Sequence, residues 1–297
     1  MYNGNMNTWI GGLARMMKRR LYTAFGLILI AIGCAALFYL YSGTTSEDYR
    51  HEWKLGPGEL RELAIRSRSQ GLNVEFEAAG QGADSIVMEG KAEPETVKRL
   101  SEAQIRDGRL ELDLDPRESF RFFGWGKWNE RHHVTVRLSD PETLEKLKLR
   151  ADSGSIRLTG ASAGSAELST DSGSIRIQNY KGGRLVLKSD SGSVEAERIE
   201  AELAVSSDSG SIRIQQLTGE STLSSDSGSI QLRKADTSSA EIHSDSGSVK
   251  VYLPAAFDGF YELQSDTGSI RAPEQKGISP EVIKVKTDTG SIRIEQT

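Results

Sequence analysis

Eight aspartates recur along the C-terminal half of the sequence, each in the motif D-[ST]-G-S-[IV] and 18 to 22 residues from the next. Stacked carboxylates of this kind could bind Ca²⁺, as they do in β-rolls with the repeat G-G-x-G-x-D-x-U-x. Each motif here offers only one Asp and one Gly, which disfavours calcium and favours a structural turn. We therefore assign no metal site and no cofactor. The residues interpreted as repeat corners are Asp152, Gly154, Asp171, Gly173, Asp190, Gly192, Asp208, Gly210, Asp226, Gly228, Asp245, Gly247, Asp266, Gly268, Asp288 and Gly290.

Stacked aspartates are expected to need positively charged side chains nearby. Aspartates stacked about 4.8 Å apart would repel each other by about 0.9 kcal/mol per pair in unscreened water. The position five residues after each Asp is basic in six of the eight copies. If that row adjoins the aspartates, it neutralises much of their charge. The row comprises Arg157, Arg176, Glu195, Arg213, Gln231, Lys250, Arg271 and Arg293.

Catalytic chemistry has little support in the sequence. The four histidines are His51, His132, His133 and His243, and the adjacent pair would point to opposite faces of a strand. That arrangement suits neither a metal site nor a base paired with a nucleophile. Catalysis also needs one asymmetric constellation, whereas this surface repeats the same residues. No catalytic residue is assigned, and a polysaccharide lyase or hydrolase on a β-helix is the alternative left open.

The segments on either side of the motif predict the fold. Residues 147–151 and 156–158 alternate apolar and polar side chains, as strands with one buried face do. Ala151 and Ile156 are an odd number of positions apart, so the backbone must bend within the motif for both strands to face one core. Gly is expected to supply the torsions, and Asp and Ser to bond nearby amides. The sequence predicts an all-β fold, a parallel β-solenoid with about eight regular coils over residues 147–297.

Residues 53–146 are expected to form degenerate coils and a cap. Gln70 and Gly71 indicate an eroded corner, and 94–104 has the spacing of one short helix. The segment 120–128 is dense in aromatic residues. It either seals the end of the solenoid core or exposes an apolar patch to a partner or to a membrane surface. Its aromatic residues are Phe120, Phe122, Phe123, Trp125 and Trp128.

The N-terminal region predicts a membrane anchor. Residues 21–41 carry no charge, and a helix of that length spans about 31 Å, enough to cross the hydrocarbon core. Basic residues at 18–20 precede it, so the positive-inside rule places residues 1–20 in the cytoplasm. The chain beyond a linker at 42–52 is then extracytoplasmic, and the protein is a single-pass protein of the cell membrane. A cleaved signal peptide fits less well, because the apolar run exceeds a usual h-region.

Charge and cysteine content restrict the partners. The formal net charge is −5, and an acidic body argues against nucleic acid as a partner. The only cysteine is Cys34, within the apolar run, so no disulfide is expected in the exported part.

The D-S-G-S corners after alternating strands, preceded by a less regular segment with an aromatic loop, resemble the bacterial putative-adhesin family, a domain of unknown function. With its N-terminal anchor the chain is similar to the LiaG-like members from Gram-positive bacteria, which the resemblance links to cell-envelope stress. The resemblance covers roughly residues 53–297 and carries over no catalytic residues. We expect a membrane-tethered binding or scaffold module that engages an envelope protein or glycan.

Overall fold

The computed structural model describes residues 26, 28–34, 46–80, 82–115 and 131–297. They belong to two compact units, Met1–Ser46 and Glu47–Thr297. In the first unit residues 28–34 are helical, and their isoleucine and leucine side chains are exposed. No helix among the described residues is long and apolar enough to cross a bilayer. Most of the predicted 21–41 helix lies outside those residues, so the membrane span stays a prediction.

The described part of the second unit is almost entirely β-structure. It has one α-helix, α1 (Pro94–Glu102), and one 3-10 helix (Pro141–Thr143). Its strands are β1 (Glu47–Lys54), β2 (Glu62–Ser67), β3 (Gly71–Ala78), β4 (Ser85–Ala92), β5 (Arg109–Asp113), β6 (Arg131–Leu138), β7 (Lys146–Ala151), β8 (Ile156–Thr159), β9 (Ser162–Thr170), β10 (Ile175–Ser189), β11 (Val194–Ser207), β12 (Ile212–Thr218), β13 (Ser221–Ser225), β14 (Ile230–Lys234), β15 (Ala240–Ser246), β16 (Val249–Leu253), β17 (Phe260–Thr267), β18 (Ile270–Arg271), β19 (Val282–Thr289) and β20 (Ile292–Gln296).

The strands form two layers, each built of parallel strands, and the layers are joined at the D-S-G-S corners. This arrangement confirms the predicted all-β solenoid. The strands that precede the corners pair in the order β5, β2, β7, β9, β10, β11, β13, β15, β19, β17. The strands that follow the corners pair in the order β6, β3, β8, β10, β11, β12, β14, β16, β20, β18. The long strands β10 and β11 contribute to both layers.

The core lies between the layers, and one register position fills one core column. Leu149, Leu168 and Leu187 are aligned and fully buried, and the column continues through Val205 and Leu223. Burying one such side chain stabilises the fold by about 1.5 to 3 kcal/mol. The alternation read from the sequence therefore places the apolar residues as predicted.

The stacking order departs from the chain order at both ends. The coil formed by β2 and β3 lies between the β5–β6 coil and the β7–β8 coil. Likewise, the β19–β20 coil lies between the β15–β16 coil and the β17–β18 coil. The outermost coil is therefore β17–β18, and Ile270, which is in register with the buried Ile292, is 43% exposed.

An antiparallel cap closes the other end. Strand β4 pairs antiparallel with both β6 and β1, and Trp53 of β1 donates a hydrogen bond of 2.9 Å to the carbonyl of Ala103 just after α1. The helix confirms the one predicted at 94–104. Strand β1 begins at Glu47, within the segment 42–52 that was expected to be a linker.

A second bend, opposite the D-S-G-S corner, was not predicted. Its residues adopt positive φ, namely Gly160 at 73°, Asn179 at 58°, Arg198 at 55° and Gln216 at 55°. They are aligned by the register of the neighbouring strands. A non-glycine residue pays about 1 to 2 kcal/mol for this conformation. Because glycine, asparagine, arginine and glutamine occupy the equivalent position, no repeated residue type marks this bend in the sequence.

Candidate functional site

The corner glycines form a column in which backbone lies against backbone. A Cβ placed on Gly173 would lie 2.0 Å from the carbonyl oxygen of Gly154, and one on Gly192 would lie 1.8 Å from that of Gly173. None of the corner glycines has a positive φ. The expectation that Gly supplies unusual torsions is therefore wrong, because the requirement is steric. The same contacts confirm the stacking order, since Gly268 meets Gly290 and Gly290 meets Gly247.

The eroded corner lies in the same column as the corner glycines. Ser67 is in register with Ala151, so Gln70 occupies the position of Gly154 in the next coil. The Cβ of each corner residue points to the coil on the β5 side of the stack. Beyond Gln70 that coil continues from Asp115 into residues outside the described set.

In six of the eight copies, the side chain of the residue before the Asp forms a hydrogen bond with the backbone of its own corner or of the neighbouring one. Of the other two residues, Ala151 has no hydroxyl, and that of Ser244 has no partner among the described residues. The hydroxyl of Ser189 accepts a hydrogen bond of 2.9 Å from the amide of Gly192 and donates one of 3.2 Å to the carbonyl of Gly173 in the neighbouring coil. Thr170 makes the equivalent bonds at 2.9 and 3.0 Å. Seven of the eight residues at this position carry a hydroxyl, Ala151 being the exception. The repeated hydroxyl is visible in the sequence and could have predicted these hydrogen bonds, but the prediction of a corner considered only the small size of the residue.

The corner aspartates point outward and do not cap amides. Within the described residues, no corner Asp side chain accepts a hydrogen bond from a backbone amide, so that expectation was wrong. Instead, Arg150 contacts Asp152 and Asp171, at 3.2 Å each. His243 lies 3.0 Å from Asp245 and Lys286 lies 3.9 Å from Asp288. Three of the aspartates therefore have a basic side chain two residues before them, at Arg150, His243 and Lys286.

The predicted basic row exists but does not meet the aspartates. Its members are in register across the layer that follows the corners. Arg176 pairs with Glu195 at 2.6 Å, and Lys250 and Arg293 pair with Glu295 at 3.5 and 2.5 Å. These three cations of the row therefore pair with carboxylates of their own layer. The idea that it neutralises the Asp ladder is wrong, because the corner turns the two rows onto different faces.

Toward the β18 end this layer carries a concentration of positive charge, which we call the cationic face. Five cations lie on adjacent strands, and within the described residues only two of them, Lys250 and Arg293, form an ion pair, both with Glu295. Tyr252 lies among them, with the guanidinium of Arg233 4.2 Å and the ammonium of Lys250 4.8 Å from its ring centroid. The cations of the face are Arg213, Arg233, Lys250, Arg293 and Arg271.

A shallow depression lies at the capped end. Its volume is about 640 Å³. Its lining is mostly charged and consists of Asp48, Tyr49, Arg50, Glu89, Gly90, Lys91 and Arg131. The described chain resumes at Arg131 after the aromatic segment. The candidate contact residues Phe120, Phe122, Phe123, Trp125 and Trp128 themselves lie outside the described residues, so their role as cap or contact stays a prediction.

A buried histidine and tyrosine lie beneath this depression. The hydroxyl of Tyr49 is 2.7 Å from Nδ1 of His132, which is 2% exposed. Burial, with a smaller contribution from the charge of His133, lowers the pKa of His132 to about 4. Burial also raises the pKa of Tyr49. Both groups are neutral at physiological pH, and His133 on the next position is exposed, as the strand alternation predicted.

This histidine gives the fold a defined pH dependence. Because its pKa is about 4 in the fold and about 6.5 when unfolded, the unfolded chain takes up a proton first as pH falls. Stability is therefore lost between pH 6.5 and 4, by about 3 kcal/mol in total. Urea unfolding at pH 7 and pH 4.5 should show a larger loss for the native sequence than for His132→Gln. His133→Gln is the matched control, and equal pH dependence in the native protein and His132→Gln would contradict the assignment.

A buried lysine closes the second bend of the β14 coil. The Lys234 side chain is 0% exposed, and its ammonium lies 3.2 Å from Asp236. It also donates to Ser238 at 2.5 Å and to the carbonyl of Gly219, whose amide donates to Asp236 at 2.9 Å. Burial lowers the pKa of Lys234, and Asp236 opposes that shift. Nothing in the sequence pattern had singled out this network.

The described residues contain no group of three or more His, Cys, Asp or Glu side chains placed to hold a metal ion. What the surface offers is a set of straight rows, one side chain per coil, at a fixed spacing of about 4.8 Å.

The family model of Toastrack DUF4097 matches residues 60–295. The chain belongs to the Toastrack family. The resemblance to putative adhesins is thereby confirmed, and the LiaG-like, membrane-anchored character stays a prediction. No curated protein matches this Toastrack chain.

Two solved structures share the Toastrack fold. One is described as a putative adhesin from Bacteroides fragilis, with a TM-score of 0.53 and 16% identity, covering 84% of this chain and 98% of that one. The other is described as a putative lipid binding protein from Parabacteroides distasonis, with a TM-score of 0.51 and 16% identity over the same shares of the two chains. At this identity the likeness shows the fold alone.

Proposed function

We propose that this Toastrack protein is a membrane-anchored, extracytoplasmic binding or scaffold module at the bacterial cell envelope. The observation that carries the proposal is the set of exposed, in-register rows on a rigid parallel stack. Such rows present the same side chain at each coil, which suits recognition of an extended partner. They do not provide the single asymmetric arrangement that an active site needs.

The anchor rests on the N-terminal sequence and on the described part of its helix. Ile28, Leu29, Ile30 and Ile32 are 54% to 63% exposed, which is unfavourable in water and favourable in lipid. The basic residues at 18–20 support a cytoplasmic N-terminus, so the solenoid would lie outside the cell membrane. Two solved structures with this fold are described as a putative adhesin and a putative lipid binding protein, which supports binding rather than catalysis.

Topology and binding are tested together in whole cells. A cysteine placed by Ser191→Cys, on an exposed corner, should react with a membrane-impermeant maleimide in intact protoplasts, whereas Thr8→Cys should react only after permeabilisation. A photo-crosslinker at Ser191 should then capture an envelope component that the same group at Thr8 does not capture. Labelling of Thr8→Cys but not Ser191→Cys in intact cells would overturn the proposal. Turnover of a cell-wall glycan by the purified protein would favour an enzyme instead.

A further inference from the structure

The cationic face is positive on a protein whose net charge is negative. The formal net charge of the chain is −5, yet strands β12, β14, β16, β20 and β18 carry five cations here, of which only Lys250 and Arg293 form an ion pair among the described residues, both with Glu295. On the β11 side, Glu195 is in register with Arg213 and pairs with Arg176. Arg213 and Arg271 make no ion pair with any described residue, and both are exposed. Arg233 makes none either, and contacts only the ring of Tyr252. Three of these guanidinium groups are therefore free to bind an external anion.

The face is a line rather than a broad plane. Arg213, Gln231, Lys250, Arg293 and Arg271 are successive partners in register across five adjacent strands. At about 4.8 Å per strand, the row from Arg213 to Arg271 is roughly 19 Å long. Arg271 and Arg293 are direct register partners, and Arg293 also pairs with Glu295. Like charges held this close repel, and an external anion would relieve that repulsion.

The chemistry of the row indicates the class of ligand. Four of the five cations are arginines, whose planar guanidinium binds a carboxylate or a phosphate through two parallel hydrogen bonds. Gln231 and Tyr252 lie between them and offer groups that can hydrogen-bond to hydroxyls. A spacing of one coil is close to the length of one sugar ring in an extended chain, whereas a polyol phosphate unit is longer. The row therefore matches a polymer with one carboxylate per sugar.

We propose that the cationic face binds a linear, carboxylated polysaccharide running parallel to the solenoid axis, with carboxylates along the polymer contacting the cations along the row. This inference rests on the proposed binding function and names its ligand class. Binding should weaken as salt screens the charges and should require a chain long enough to span several coils.

The test uses the full-length protein in a neutral detergent and oligogalacturonates of defined length. The hexamer should bind, and the dimer should bind at least tenfold more weakly. A triple variant, Arg213→Gln, Arg233→Gln and Arg271→Gln, removes only cations without an ion-pair partner, and should raise the Kd for the hexamer at least tenfold. The control triple, Arg157→Gln, Lys181→Gln and Lys276→Gln, makes the same change of net charge outside the cationic face and should leave the Kd unchanged.

Binding of other anionic polymers and surfaces shows whether the face prefers carboxylated glycans to phosphates. Polyphosphate, a single-stranded oligonucleotide and phosphatidylglycerol vesicles are measured under the same conditions. Equal or tighter binding to any of them than to the hexamer would overturn the carboxylated-glycan proposal, as would unchanged hexamer binding by the face triple. If the face triple binds the hexamer as well as the native protein does, while the photo-crosslinker at Ser191 still captures an envelope component, the proposed binding function holds and only this inference fails.

Discussion

Replacing Gly192 by Ala should lower the free energy of unfolding by about 3 kcal/mol or more. The new Cβ would lie 1.8 Å from the carbonyl oxygen of Gly173, a contact that only a shift of backbone can relieve. Coils lie on both sides of Gly192, so neither backbone can move without breaking strand pairing. Urea unfolding of the full-length protein, followed by far-UV circular dichroism, measures the loss.

Gly268→Ala is the matched control for that change. Its Cβ would meet Gly290 at 2.0 Å, almost the same clash. However, the β17–β18 coil is outermost and can move away from the stack. We expect less than half the loss seen for Gly192→Ala. Equal losses at the two positions would contradict this expectation, because they would show that the outermost coil cannot relieve the contact by moving.

Replacing Lys234 by Met should cost about 3 kcal/mol, because it leaves Asp236 without its cationic partner and the carbonyl of Gly219 without the ammonium donor. Methionine keeps the length and apolar stem of the side chain, so the loss reports the polar network. The same urea unfolding experiment measures it. Lys181→Met, at an exposed lysine, is the control and should change stability little.

A double variant separates charge from packing. Adding Asp236→Asn to Lys234→Met removes the stranded carboxylate, and should recover part of the lost stability. A double variant less stable than Lys234→Met alone would contradict the role assigned to the pair. The role would also be contradicted if Lys234→Met were as stable as the control Lys181→Met.

The sequence was sufficient for the architecture because its repeat is strict. Alternation around the motif identified the buried faces, and the odd spacing between Ala151 and Ile156 required a bend. The eroded corner at Gln70 could also be predicted, since its flanking strands keep the pattern. In each case the inference depended only on side-chain periodicity, which is a property of one strand at a time.

The roles of individual residues were harder to predict, because they depend on which coils become neighbours. Gly173 looks like a torsional residue until the carbonyl of Gly154 is placed against it. The residue five after each Asp looks like a counter-charge until the corner separates the two faces. Lys234 is buried only because the β14 coil bends around it. These are contacts between distant parts of the chain.

The last two coils stack in the reverse of their chain order. The corner motifs are too similar to predict this, but the spacing between them is altered. The spacings from Asp245 to Asp266 and from Asp266 to Asp288 are the longest of the series, at 21 and 22 residues. The extra length is what allows the chain to pass over a neighbouring coil. A period that lengthens at one end is therefore a usable sign of altered stacking order.

The insertion of one coil between two others at each end of the stack limits how this solenoid can change its number of repeats. Deleting β19 and β20 would separate the β17–β18 coil from the rest, and deleting β2 and β3 would do the same to the β5–β6 coil. A coil added or lost between β9 and β14, by contrast, leaves both interlocked ends intact. Duplication and deletion in evolution, and redesign of the rod to a chosen length, are thereby directed to the middle of the protein.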